Sequence, residues 1–290
     1  MSLKALLIPT LNRPPSRSRL PSFPEGLTIP KIIHQTFYTR DLPEKLQENV
    51  DIIRQLNPEW EYRFYDDSDI AAFIQSNYPA HVWHYFERIN SRYGAARADL
   101  FRYLLMYKMG GIYLDIKSVV TRPIQLREDD KLLLSNWEQK SGEFDWGGHY
   151  ELRDIAAGEY QQWHIVCAPG HPCLKAVIEA VLSNIDTYDP SLHGVGKKGV
   201  LRVTGPVAYT MAIHRIQKQH AHRVVDITAE LGLEYNVYRD QSHEKEFKSH
   251  YSLQTASVVQ LGWAKRQLTH LYALMQAVHD MRQRRRANQA

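Results

Sequence analysis

The sequence predicts an α/β fold in which a mostly parallel central sheet is flanked by helices. Two observations along the chain carry this. Short apolar runs of strand length alternate with stretches whose apolar residues recur at helical spacing. The helical stretches are also long enough to serve as crossovers between parallel neighbours. A third observation is bulk. The 290 residues are 43% hydrophobic and 23% charged, which is ordinary for a soluble globular protein and excludes a collagen, a disordered tail or a disulfide scaffold. A chain of this length buries most of its unfolded surface and needs no disulfide or metal to fold.

The elements follow in order. Residues 1–29 read as an extended arm rather than packed structure, because Pro14, Pro15, Pro21 and Pro24 alternate with Arg and Ser. The folded domain spans 30–263. Lys31–Thr36 is a β run containing Ile32 and Ile33. Pro43–Leu56 places Leu46, Val50, Ile53 and Leu56 on one helical stripe. Trp60–Tyr65 alternates aromatics and then breaks at Asp66–Asp67, as a strand does. Ser68–Asn77 and Ala80–Ile89 are short helices. Gly94–Met109 is a longer one, with Ala98, Phe101, Leu104 and Leu105 on one face, and Gly110–Gly111 stops it. Ile112–Leu114 starts a strand. Further strands are expected at Lys131–Ser135 and Gln161–Ala168, and helices at Pro172–Ile185 and Pro206–Gln217. Residues 264–290 form a basic amphipathic helix, with Leu268, Leu271, Leu274, Met275 and Val278 on one stripe and a cluster at Arg282–Arg286.

Charge and cysteines narrow the function classes. With 36 Lys+Arg against 32 Asp+Glu the net charge is +4, too weak to argue for nucleic acid. Cys167 and Cys173 are too sparse for a disulfide framework and read as reduced thiols. No run approaches the ~18 apolar residues of a membrane span, and the first ten residues lack the features of a signal peptide. The expectation is a cytoplasmic protein, with the basic helix offering a peripheral contact at the inner membrane. Oligomeric state is left open.

The segment Gly94–Lys117, GAARADLFRYLLMYKMGGIYLDIK, is the most informative. Asp99 and Arg102 are three apart and share a helix face with Ala95 and Met106. A charged pair among small and apolar residues is either a structural salt bridge or part of a site. Asp115 ends an apolar strand, and in open α/β sheets ligands bind beyond the carboxyl ends of strands.

Asp99-Leu-Phe-Arg102 followed by Gly110-Gly111-Ile-Tyr-Leu-Asp115 resembles the DXD sugar-binding region of glycosyltransferase family 32, whose core the clostridial glucosylating toxins share. Ile29-Pro-Lys-Ile-Ile-His-Gln-Thr36, Asn57-Pro-Glu-Trp60 through Asp66-Asp67, Gly170-His171-Pro172 and Thr204-Gly205-Pro206 are similar to the family's other landmarks, in the family's order. The resemblance covers roughly residues 29–215. It implies a GT-A-like fold and a retaining glycosyltransferase that moves a sugar from a nucleotide-diphosphate donor to a glycan or other hydroxyl acceptor. With no anchor in view, it implies bacterial capsule or surface polysaccharide synthesis. It also implies that Gln35 and Thr36 lie by the nucleotide. Asp99 and Arg102 would hold donor hydroxyls and phosphate, Tyr113 would line the strand into the site, and Asp115 would be the first carboxylate of the DXD. Such a carboxylate binds Mn²⁺ or Mg²⁺ through hard oxygen ligands.

One departure stands out: the triplet is Asp115-Ile116-Lys117, and a protonated lysine does not ligate a cation. Two readings stay open. Either Lys117 joins the catalytic residues by bringing its ammonium to the diphosphate, or it faces solvent while Asp115 holds a metal. The departure also leaves room for a catalytically weak carbohydrate or nucleotide-sugar-binding homologue.

Other features weigh less. His193–Gly199 contains a G-x-G-x-x-G without a preceding strand, so it reads as a loop, or as a basic lid carrying Lys197 and Lys198 to the donor. His220 and His222 lack a third metal ligand nearby. Trp137 and Trp146, with His149, fall in an aromatic-rich stretch suited to stacking on an acceptor sugar. Trp163 and Tyr160 belong to the same stretch and have core packing as the alternative, and Glu138, Glu143 and Asp145 are its carboxylates.

Overall fold

The computed structural model describes residues 10–137, 149–238, 254–267, 269 and 281. The expected α/β architecture is present. Strands β1 (Ile32–Thr36), β2 (Glu61–Tyr65), β3 (Gly111–Leu114), β5 (Leu132–Leu134), β6 (His164–Cys167) and β7 (Arg223–Val224) form a six-stranded sheet in the order β2-β1-β3-β6-β5-β7. Only β6 runs against its neighbours; the β1–β2, β1–β3 and β5–β7 pairs are parallel. A two-stranded antiparallel ribbon pairs β4 (Val119–Val120) with β8 (Leu233–Glu234).

Up to residue 238, the α-helices among the described residues are α1 (Glu44–Leu56), α2 (Asp67–Asn77), α3 (Ala80–Arg88), α4 (Gly94–Met109), α5 (Pro172–Thr187), α6 (Pro190–His193), α7 (Gly196–Val203), α8 (Pro206–Ile216) and α9 (Ile227–Leu231). Strand alternation divides the core between the two faces of the sheet. Tyr113, Leu132, Leu134, Ile165 and Cys167 face a large cluster built with α2 to α5, α7 and α8. Ile33, Ile112, Leu114, Leu133 and Val166 face a smaller one built with Ile53 of α1 and Ile227 and Leu231 of α9.

Local signals explain the ends of the site-bearing elements. Asp66, noticed in the sequence as a break, caps α2 by accepting from the backbone N–H of Ser68 and Asp69, and Asp69 returns a bond to the Asp66 N–H. α4 is buried on nearly every side, so its polar residues Asp99 and Arg102 must find partners inside the protein.

The chain order places a ligand crevice. From β1 the chain passes to β2 on one side, then returns through α2, α3 and α4 to β3 on the other. The order therefore reverses at β1 and β3, and the space beyond their carboxyl ends is where such sheets take ligands.

Two expectations need correction. Among the described residues, the proline-rich segment has no helix or strand, but it is packed. Leu20 lies in the main core cluster, and Phe23 packs edge-on to Tyr78 and tilted against Tyr107. The Glu179 carboxylate accepts from the Ser18 hydroxyl and the N–H of Arg19 and Leu20, and Asn12 pairs with Asn184. Prolines exclude regular hydrogen bonding, not burial. The second correction concerns Lys197 and Lys198. They are on the first turn of α7, not on a glycine-hinged loop. The expected C-terminal helix is seen only where residues 263–267, 269 and 281 are helical; its remaining apolar stripe and Arg282–Arg286 lie outside the described residues.

Candidate active site

Three charged side chains form a chain at the carboxyl end of β3. Arg102 reaches out from α4 with its guanidinium 4.8 Å above the Tyr113 ring. Its Nη2 is 3.2 Å from Asp99 Oδ1 and its Nη1 is 2.9 Å from Asp115 Oδ1. Nη1 also donates to the Gln162 carbonyl at 2.8 Å. Asp99 Oδ2 accepts from the Thr204 hydroxyl at 2.8 Å, and Oδ1 also accepts from the Gln162 amide at 3.2 Å. The single Tyr103 O–H is shared between the Gln162 side-chain oxygen at 2.7 Å and the Thr204 carbonyl at 2.9 Å, which ties Tyr103 to both of these partners of Asp99.

The three groups differ in access. The side chains of Asp99 and Arg102 are 4% and 6% exposed, and that of Asp115 is 25% exposed. A ligand entering the crevice meets Asp115 first, with Arg102 and Asp99 bracing it from below. Burial pushes the Asp99 carboxyl upward, and Arg102, Thr204 and Gln162 pull it back. Burial works against the Arg102 charge as well, but Asp115, Tyr113 and Asp99 outweigh it and hold the guanidinium protonated.

The residues expected near a nucleotide converge on the same crevice. The Gln35 amide donates to the Asp115 carbonyl at 3.2 Å and its oxygen accepts from the Tyr62 hydroxyl at 2.8 Å. Thr36 donates to the Tyr65 carbonyl. Both are buried, and their bonds tie β1, β2 and the turn after β3 together. Lys197 and Lys198 start from the first turn of α7. Thr204 follows the far end of α7, and at 1.5 Å per residue the first turn is about 10 Å away along the axis.

β3 ends at Leu114, and a turn follows in which the Ser118 N–H bonds the Asp115 carbonyl. Lys117 is half-buried on that turn. Its Nζ donates to the Tyr235 hydroxyl at 3.0 Å and lies 4.3 Å from the Tyr235 ring centre. Burial lowers its pKa, Asp115 raises it and Arg102 lowers it further.

Tyr235 connects this centre to the expected acceptor residues. Its ring packs edge-on to Trp137 and Trp163. Trp137 donates through its indole N–H to Glu159 at 2.9 Å, and His149 lies 2.8 Å from the other Glu159 oxygen. Trp146, with Glu138, Glu143 and Asp145, lies outside the described residues. Sequence reasoning missed Tyr235, Glu159 and Gln162. Only Thr204 carried a signal, as part of Thr204-Gly205-Pro206.

Metal fit follows from the donor set. Among the described residues no group of three or more His, Cys, Asp or Glu side chains is placed to hold an ion. The accessible carboxylate, Asp115, is already paired with Arg102, and the position two beyond it is a lysine. These residues do not fit a divalent cation held by protein ligands. Among the described residues no helix is long and apolar enough to cross a membrane.

Comparison with known proteins gives the following similarities. Residues 43–138 match the family described as the glycosyltransferase sugar-binding region containing a DXD motif. Inositol phosphoceramide mannosyltransferase 3 of Schizosaccharomyces pombe is 39% identical over 92 residues, covering 32% of this chain and 25% of that protein. Mannosyl phosphorylinositol ceramide synthase SUR1 of Saccharomyces cerevisiae is 34% identical over 121 residues, 39% of this chain and 31% of that protein. The initiation-specific alpha-1,6-mannosyltransferase of S. pombe is 26% identical over 203 residues, 66% of this chain and 49% of that protein. The chain thus spans between a quarter and a half of these relatives. All three are fungal, and none of their names refers to a capsule. A solved structure titled PaToxG Glycosyltransferase aligns with a TM-score of 0.47 at 18% identity, covering 65% of this chain and 70% of that chain.

Proposed function

We propose, from the match of residues 43–138 to the glycosyltransferase sugar-binding region containing a DXD motif, that the protein transfers a hexose from a nucleotide-diphosphate sugar to a hydroxyl acceptor. Mannose is the favoured sugar, because the names of the curated relatives specify mannosyl transfer. The observation that carries the reading is the Asp99–Arg102–Asp115 chain at the crevice between β1 and β3. It is a partly open carboxylate held by a buried arginine at the edge where open α/β sheets take ligands.

In the proposed reaction the anomeric C–O bond to the diphosphate breaks and its electron pair stays on the diphosphate oxygen. The acceptor oxygen bonds to the anomeric carbon, and its proton passes to the released diphosphate. Asp115 orients the sugar through its hydroxyls. The Trp137 ring offers an apolar face to the acceptor, and His149, oriented by Glu159, offers a hydrogen bond to it. Retention at the anomeric carbon belongs to the proposal, as delivery of the acceptor from the face the diphosphate leaves.

Incubation with a panel of labelled nucleotide sugars and simple mannoside acceptors tests this. Wild type should transfer label, and Asp115→Asn should lose at least ~10²-fold in rate, as when a key electrostatic group is removed. Wild-type turnover in Asp115→Asn would sink the assignment. Lys117, in place of the second carboxylate, favours one other reading: a homologue that binds nucleotide sugars without transfer. Binding with no label transferred to any acceptor or to water would select it.

A further inference from the structure

The turn after β3 carries a cation where a second carboxylate would complete a D-x-D. Among the described residues no carboxylate lies within salt-bridge distance of Lys117 Nζ, whose recorded bond goes to the Tyr235 hydroxyl. An ammonium has three donors, and this phenol oxygen takes one. The Tyr235 ring beneath it stabilises a cation without neutralising it. A half-buried positive charge that, among the described residues, has Asp115 nearby but no carboxylate in ion-pair contact is costly for folding alone. It lies two residues beyond Asp115, at the mouth of the crevice where the proposed donor binds.

We propose that Lys117 supplies the positive charge that meets the donor's diphosphate, in the place a divalent cation takes beside a complete D-x-D, and that Tyr235 aims it. The inference rests on the donor-site reading above. The charge matters most when the anomeric C–O bond breaks, because the electron pair then resides on the diphosphate oxygen nearest this ammonium. One charge is less than the two of a metal ion. Arg102 adds to it through the field of the site, since its guanidinium is held protonated 2.9 Å from Asp115. Tyr235 restricts the lysine stem, so less ordering remains when the diphosphate arrives.

Calorimetric titration of the full chain with GDP and with UDP, in excess EDTA and again in Mn²⁺, tests this. The nucleotide that binds should do so in EDTA with a Kd within about threefold of the Mn²⁺ value. In EDTA, Lys117→Ala should weaken it about tenfold or more, the loss expected for a charge-assisted bond. Lys117→Arg should retain most of the affinity, and Tyr235→Phe should fall between, with thermal melts showing each variant folded. Binding that demands Mn²⁺, with Lys117→Ala equal to wild type, overturns this inference and leaves the donor site standing. Failure of wild type to bind either nucleotide in either buffer overturns the donor-site reading and this inference with it.

Discussion

Asp99 and Asp115 share one arginine but stand in different surroundings, and their variants should separate accordingly. Asp99 is buried against Arg102, Thr204 and Gln162. Removing it leaves a buried guanidinium short of its counter-charge and two polar partners unmet. Asp99→Ala should therefore lower the unfolding free energy by about 3–5 kcal/mol, the range for breaking a buried pair from one side. Asp115→Asn, at a partly exposed position and still offering Arg102 an amide oxygen, should cost less, roughly 1–2 kcal/mol. Urea titration of both variants checks this, and equal losses would mean that Asp99 is no anchor. The sequence made the i,i+3 pair and the strand-end carboxylate readable because helix spacing and a strand end are local. The rest of the site was not readable. Gln162, Thr204 and Tyr235 are 63, 105 and 118 residues from the groups they hold, and no local pattern encodes a contact made by tertiary folding.

The joint between α4 and β3 decides where Asp115 lies. Gly111 opens β3 with φ +97°, and a Cβ there would lie 2.5 Å from the Ile32 carbonyl oxygen of the neighbouring strand. Gly111→Ala thus meets both an unfavourable backbone conformation and a clash with β1, together roughly 2–5 kcal/mol. It should lower the melting temperature and, by displacing β3, reduce nucleotide affinity in the fraction that remains folded. Melting and titration of the same preparation would show both, and a variant as stable as wild type would refute the close-approach argument. This joint was legible, because Gly110–Gly111 is a helix stop between two apolar patterns. The glycines at 194–199 misled for the converse reason. They read as a hinge, but a Cβ on Gly199 would come within 2.6 Å of the Gly194 carbonyl oxygen. Gly199 is there for close packing inside a helical turn. The reversed direction of β6 was equally hidden, since an apolar run buried on both faces reads the same either way.

At the scale of the whole molecule, burial that no single motif announces sets the response to acid. The strap of residues 10–30 shows how far burial departs from local composition, since its prolines say nothing about Leu20 entering the core. The histidines behave alike. His34, bonded to the Tyr65 hydroxyl and the Gly110 carbonyl, is pushed by burial down to about 4. His164, beside Ser135, is pushed to about 3, and burial lowers His171 as well. In the unfolded chain each titrates near 6.5. Between that value and the folded one, the unfolded state binds more protons, so stability rises with pH in this window. The stabilisation is whole above pH ~6.5 and is lost as pH falls toward 4. Asp99, whose carboxyl is raised, works in the opposite sense, but as one group against three. Asp66, lowered to about 2 by its capping bonds, acts only below this window. Moving from pH 7 to pH 5 should therefore cost on the order of 2 kcal/mol for each of His34 and His164, at 1.4 kcal/mol per unit of pH. Urea midpoints at the two pH values measure the total. In His34→Gln, which keeps a donor for the Gly110 carbonyl but does not titrate, the drop should shrink by about 2 kcal/mol. An unchanged drop would show that His34 is protonated as readily in the folded protein as in the unfolded chain, contrary to its burial.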